Sequence, residues 1–425
     1  MPPIRTHLAT IPERGTVAIP LQTSLHASRH PRRPVLAIFL DGLGADAVSR
    51  MSFVAALPSV RRLRTELGYS ITCHASMYTG LRPDRHGLWF VWQRDAARSP
   101  FRWLRPLGFL STIDNLALRV LVTKITRRFT RTTSWFGVPY PVHVPWRDLP
   151  ELDVAERRLW SDPGYLDTAP TIFDLWRSAG VSVEIVGMAR GHSAGLAGIE
   201  AWSPPPVPAD VTYLFAGDID HASHAHGQGS IAVGDVLARV DRVIRRVHGE
   251  LCSIAGEVDL VLWSDHGHHD VERLDPFELL AKNGISLDGL LHVIDTNFIR
   301  VWVDGDDRRR ALANQLDATR VGHVLTEEEL DRYRVRLPDN RYGDLIFYLD
   351  LPYAFSRTIW GFGRRLASAH GYLPDHPQSD GVLASSRGVR EGDIQLADIA
   401  PSLLALTHTE TPANLDGSAF WGRGP

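Results

Sequence analysis

The chain has 425 residues, 44% of them hydrophobic, and 46 Lys and Arg against 49 Asp and Glu leave a formal charge of −3. That supplies a sizeable core and gives no global field for a nucleic-acid polymer. Two cysteines, Cys73 and Cys252, exclude a disulfide scaffold, and the lack of any run of about 18 apolar residues argues against a transmembrane helix.

In chain order, residues 1–33 read as an irregular arm rich in Pro, Thr and His. The arm has no apolar stretch of the kind that marks a secretory signal, so a cytoplasmic protein is expected. One domain is expected over 34–425, with an insertion at about 95–160 forming a lid or specificity element. It opens with the apolar run Pro34–Leu40, ending at Asp41-Gly42, the pattern of a strand buried on both faces of a parallel sheet. Phe101–Val144 is aromatic and basic, carrying Arg102, Trp103, Arg105, Arg119, Lys124, Arg127, Arg128, Arg131, Trp135 and Phe136. Its plain reading is a helix that packs an apolar side and solvates its Arg side. Its functional reading is a lid over an anionic or amphiphilic substrate, or a membrane contact.

Thr171–Gly180 reads as a helix with a glycine stop, and Ser182–Val186 as the strand after it. Val211–Phe215 and Val258–Trp263 are further strands. Between them Ile231–Ile254 repeats apolar residues every three or four positions, a long amphipathic helix. Leu291–Val303 and Asp344–Leu349 read as strands. This alternation predicts an α/β fold, an open sheet flanked by crossover helices.

The chemistry-bearing residues sit at the ends of these runs. Asp265-His266-Gly267 follows a strand, where open α/β sheets place their sites. Asp220 and His224 are four apart, so one helical turn aims both the same way, and His221 and His226 crowd the same segment. A carboxylate at Asp41 is costly unless paired or bound to a cation; the alternative is a helix cap for the segment after Gly44. Ser70, with Thr72 as its competitor, precedes a helical stretch, where hydroxyls are commonly caps but where an alkoxide and phosphate oxygens are also stabilised. His370 stands alone by spacing. Carboxylates and imidazoles in this number suit a pair of zinc-like ions, and a hydroxyl among them suits a nucleophile for phosphoryl-type transfer.

Together these motifs resemble the alkaline phosphatase superfamily, most closely its type I phosphodiesterase/nucleotide pyrophosphatase branch. That pattern has an Asp after the first strand, matched by Asp41. It has a Thr or Ser ten residues before the Gly of a Thr-Gly pair, which selects Ser70 by its distance from Gly80. Asp220, His224 and Gly227 match its Asp-x-x-x-His-x-x-Gly, Asp265, His266 and Gly267 its Asp-His-Gly, and His370, Gly371 and Tyr372 its late His-Gly-Tyr. The likeness runs from about Leu36 to Leu403.

The resemblance implies an alkaline-phosphatase-like, mostly parallel sheet with a helical insertion. It implies two divalent ions, zinc at both sites or manganese in some relatives. Asp220, His224 and His370 would hold one, and Asp41, Asp265 and His266 the other, with Ser70 facing it as nucleophile and ligand. The implied activity is hydrolysis of a small phosphodiester or phosphomonoester through a Ser70 phospho-enzyme. The alternatives are phosphoryl transfer to an alcohol at the same site, or a relative that binds a metal or anion without turnover. Three residues after the nucleophile, nucleotide pyrophosphatases typically have Asn and sulfatases Arg; this chain has Cys73, followed by His74, and both are expected to face substrate. Thr72 and His74 also break the Cys/Ser-x-Pro-x-Arg pattern that sulfatases use.

Overall fold

The computed structural model describes residues 33–422 except 114, 135–136, 140, 142, 190–191, 194 and 360–365. The expected arm, Arg33 apart, and Trp135 and Phe136 lie outside the described residues. The strands that organise the site are β1 (Val35–Leu40), β2 (Ser59–Leu63), β3 (Val183–Val186), β4 (Val211–Ala216), β5 (Asp259–Trp263), β6 (Leu291–Ile294), β7 (Phe298–Trp302), β8 (Gly322–Val324), β9 (Leu345–Leu349) and β10 (Gly381–Ser385). The principal helices are α1 (Ser70–Thr79), α2 (Leu116–Phe129), α3 (Ile172–Ser178), α4 (Asp218–His226) and α5 (Ile231–Ala255).

The central sheet has the order β2-β10-β5-β1-β4-β3. β5, β1, β4 and β3 run parallel, while at one edge β10 pairs antiparallel with β5 and β2 antiparallel with β10. All six residues of β1 are buried, as a central strand covered on both faces requires. Val35, Ala37 and Phe39 enter one core with Trp160, Tyr213 and Trp263. Leu36, Ile38 and Leu40 enter the other, against Val233, Leu237, Val240, Ile244 and Val247 of α5. The three- and four-residue spacing of that apolar stripe fits a long helix, which Ser230 caps by accepting from Val233 N and which ends at Gly256, φ +81°. α3 likewise starts at a Thr171 capping box.

Three expectations change. Leu291–Val303 is two antiparallel strands, β6 and β7, because the turn-forming Asp295, Thr296 and Asn297 interrupt the apolar run. These strands do not join the central sheet; with β9 and β8 they form a second, four-stranded antiparallel sheet with its own core. The insertion also departs from its plain reading. α2 buries Arg119, Val122, Thr123 and Thr126 and exposes Leu121, Ile125 and Phe129. Arg119 turns inward because Nη1 donates to the carbonyls of Pro141 and Val144 and its guanidinium lies 5.0 Å from the Trp146 ring centre.

The β6–β7 turn is tied to the central domain at one residue. Tyr69 Oη donates to Asn297 Oδ1 at 2.6 Å, and Asn297 Nδ2 donates to Gly371 O at 2.7 Å. Asn297 thereby braces the neighbours of both Ser70 and His370. Replacing Asn297 with Ala takes the acceptor from the Tyr69 hydroxyl, which keeps only the backbone N–H of residue 297 donating to its oxygen at 3.3 Å, and takes the donor from Gly371 O, at about 1–3 kcal/mol each. Asn297→Ala is therefore expected to lower the urea midpoint of unfolding at an unchanged m-value; an unchanged midpoint refutes the brace.

Candidate active site

In the central sheet Phe39 of β1 lies level with Phe215 of β4 and Trp263 of β5. The chain therefore leaves three adjacent strands at one edge. Asp41 follows β1, its N–H donating to Ala216 O at 3.0 Å. Asp265 and His266 follow β5, where Asp265 Oδ1 accepts from Gly42 N at 3.2 Å and His266 N at 3.1 Å. After β4 the chain enters α4, which carries Asp220 and His224 on one turn. Asp41 caps nothing: Gly44 precedes the 3-10 turn at Ala45–Arg50 without a side-chain cap. The seven residues selected from the sequence, spread over some 330 positions, converge at this edge.

The contacts centre on one carboxylate oxygen and one imidazole nitrogen. Asp220 Oδ1 lies 3.2 Å from His224 Nε2, 3.0 Å from His268 Nε2 and 3.8 Å from His370 Nε2. His266 Nε2 lies 3.3 Å from Asp265 Oδ2, 3.5 Å from Asp41 Oδ1 and 3.2 Å from Ser70 Oγ. The His266 and His370 rings stack at 3.7 Å and join the two halves.

Hydrogen bonds at the far side of each ring fix three tautomers. His224 Nδ1 donates to Ser368 O at 2.8 Å, and His266 Nδ1 donates to Gly267 O at 3.2 Å. Ser368 Oγ spends its own proton on Ser223 O at 2.7 Å, so His268 Nδ1, 3.1 Å away, must donate to it. In the neutral ring each Nε2 is then a bare lone pair, and each faces a carboxylate oxygen. Burial pushes His268 down to about 3 and, with the nearby His266, holds His370 well below its ordinary value, so these rings do not relieve the clash by charging. A cation would turn opposed lone pairs into ligands.

The carboxylates carry the same strain. Burial raises Asp41 well above its usual range, and the charges of Asp265 and Asp220 add to it; burial also raises Asp265. Oxygens of Asp41 and Asp265 lie within 4.8 Å of each other and of a His74 nitrogen. Like charges at that separation repel by on the order of 3 kcal/mol at an effective dielectric near 20. Neither Asp41 Oδ1 nor Asp265 Oδ2 has a hydrogen-bond partner among the described residues. Asp220 differs: burial would raise it, but His224 outweighs this and holds it well below the carboxylate range. Burial opposes a proton on His224, yet the Asp220 carboxylate prevails and raises that imidazole. Without a cation the two thus share a proton that a metal would displace. The donor set fits divalent ions, and three acid–imidazole groups could hold one: Asp220 with His224 and His268, Asp220 with His266 and His370, and Asp41 with His74 and Asp265.

The hydroxyls separate by contact. Ser70 is the first residue of α1, with Oγ facing His266, whereas Thr72 Oγ1 donates to Trp89 O at 2.5 Å. Cys73 is fully buried, its Sγ 3.6 Å from Thr65 Oγ1, and burial keeps its thiol protonated. His74 packs among Phe39, Tyr78 and Trp160, and burial lowers it to about 3. Neither of its nitrogens has a hydrogen-bond partner among the described residues. His268, Ser368 and Asn297 are the participants missed from sequence. Only His268 carried a signal, two residues beyond His266 in a run of imidazoles.

The family model described as Type I phosphodiesterase / nucleotide pyrophosphatase matches residues 35–373. No curated protein matches the sequence. Human ectonucleotide pyrophosphatase/phosphodiesterase 5 shares the fold at a TM-score of 0.62 and 14% identity, over 91% of this chain and 97% of that one. The murine protein of the same name gives 0.61 and 14%, over 90% and 98%. An inactive variant of the murine protein in complex with AMP gives 0.61 and 14%, over 90% and 97%. With a family match running from β1 past His370, the chain belongs to the type I phosphodiesterase/nucleotide pyrophosphatase family of phosphoric ester hydrolases, in the alkaline phosphatase superfamily.

Proposed function

We propose that the protein hydrolyses a small phosphate ester by nucleophilic attack from Ser70, at a site built for two divalent ions. The observation carrying this reading is the set of imidazole Nε2 atoms facing the crowded, buried carboxylates of Asp41, Asp220 and Asp265 beside a hydroxyl at a helix start. Asp220, His224 and His370 would hold one ion, with His268 as a further donor; Asp41, Asp265 and His266 would hold the other, with His74 beside them. When bound, the ions, zinc by family habit, supply the charge that makes Ser70 an alkoxide near neutral pH and neutralises the phosphoryl oxygens.

The chain's own residues supply the rest. Ser70 is the first residue of α1, so the positive end of the helix lies beside the position that phosphoryl oxygens would take. Ser70 Oγ forms a bond to phosphorus as the ester oxygen leaves, and water then cleaves the phosphoserine, so the net change is one water added across a P–O bond. The tie through Asn297 and the stack of His370 on His266 hold nucleophile and ligands in one frame. The murine relative's complex with AMP supports a nucleotide-type substrate. Comparing turnover of a p-nitrophenyl phosphomonoester, a phosphodiester and a nucleotide p-nitrophenyl ester tests that class: the nucleotide ester is expected to have the highest kcat/KM, and preference for the monoester overturns it.

Ser70→Ala is expected to lose at least about a thousandfold in turnover while its metal content is retained. Thr72→Ala, which loses one buried hydrogen bond worth about 1 kcal/mol, is expected to keep most of its turnover. The reverse pattern moves the nucleophile to Thr72. Exhaustive chelation should abolish activity, and Zn²⁺ or Mn²⁺ should restore it; activity in protein shown by elemental analysis to be metal-free defeats the two-ion site. His268→Ala should weaken zinc binding to the apo-protein about 10- to 100-fold in competition with a chromogenic chelator. Ser368→Ala should act in the same direction, because the tautomer is no longer pinned; unchanged affinity in both removes His268 from the site.

A further inference from the structure

The outward side of the insertion is not absorbed by this chemistry. Along α2, Leu121, Ile125 and Phe129 recur every fourth residue, so they form one stripe, and they are 54%, 38% and 80% exposed. Trp103, 39% exposed, flanks the helix, with its ring N–H donating to Thr126 Oγ1 at 3.3 Å. On the other side of the stripe stand Lys124 and Arg128, with Arg131 just past the helix end. These three cations are exposed, and none forms an ion pair among the described residues. Residues 96–147 contain nine Lys and Arg against one Asp, a net of +8 in a chain whose total is −3.

We propose that this face of α2 docks on an anionic membrane surface, laying Leu121, Ile125 and Phe129 into the headgroup–acyl boundary. An apolar stripe needs a non-aqueous partner, and the cations beside it set the sign of that partner's charge. A tryptophan with its N–H already bonded suits the boundary between the apolar and wet zones. The helix would lie in the plane of the surface: no helix among the described residues is long and apolar enough to cross a membrane. The charge segregation argues for lipid over a second copy, since a copy would bring a like-charged face to the same patch. The inference is independent of the hydrolytic reading, because it uses no residue of the metal cage.

Co-sedimentation of the full-length protein with vesicles tests it. Partition is expected onto phosphatidylcholine vesicles that contain phosphatidylserine, with much weaker partition onto phosphatidylcholine alone and a decline with added salt. Lys124→Ala/Arg128→Ala should lower partition roughly 25-fold, at about fivefold per cation. Leu121→Ser/Phe129→Ser should lower it more than about tenfold. Because these side chains are exposed, the melting temperature of each variant should match the parent, which separates lost docking from lost fold. Equal partition onto both vesicle types, or variants that bind like the parent, overturns the proposal. So does a concentration-dependent dimer that Leu121→Ser/Phe129→Ser dissolves without any vesicle binding, an outcome that assigns the face to a second copy.

Discussion

Three parallel strands that end level place Asp41, Asp220 and Asp265 close together in a buried edge, and much of the site follows from that crowding. Buried carboxylates this near one another are stable only with protons or a cation between them. Among the imidazoles around them, burial disfavours the charged forms of His268 and His370, while the proton that Asp220 favours on His224 serves Asp220 alone. The backbone has thus built a site whose preferred occupant is a metal. The role proposed for Ser70 rests on this arrangement: its hydroxyl faces the carboxylate–imidazole group, while Thr72, two residues on, is bonded to Trp89.

The central sheet was legible in the sequence because each of its parallel strands is a short apolar run with a polar or glycine stop, and α5 because its apolar spacing holds for 25 residues. The seven residues that converge at the sheet edge were legible for a related reason: motifs at strand ends are local, and their chain order matches a known pattern. Other features depend on contacts between distant segments. Nothing around Asn297 announces that its amide spans Tyr69 and Gly371, and Ser368 matters only through the two rings that its backbone and hydroxyl orient. The division of Leu291–Val303 into β6 and β7 was readable from its turn residues, but its departure to a second sheet was not.

The insertion shows where hydropathy misleads. A helix carrying several arginines is expected to turn them to water, and α2 does so with Lys124 and Arg128. Arg119 is the exception, its guanidinium held by two carbonyls and an indole in the interior. Its inward turn helps leave aliphatic and aromatic side chains on the outside. The composition of the segment was informative from the start; which side faced inward depended on partners some twenty-five residues further along the chain.

The second sheet also sets an order in time. It is inserted between His266 and Ser368, so a growing chain completes β1, β4 and β5, with Asp41, Asp220 and Asp265, well before Ser368 and His370 leave the ribosome. Until then the Nδ1 protons of His224 and His268 lack the Ser368 acceptor that orients their rings, and β10, the strand that flanks β5, is still missing. A half-made chain therefore presents a cluster of acids without its full complement of oriented imidazoles. In the proposed metal site, tight capture of the ion would then wait until Ser368 and His370 have joined the acids, which ties loading to the later part of the chain.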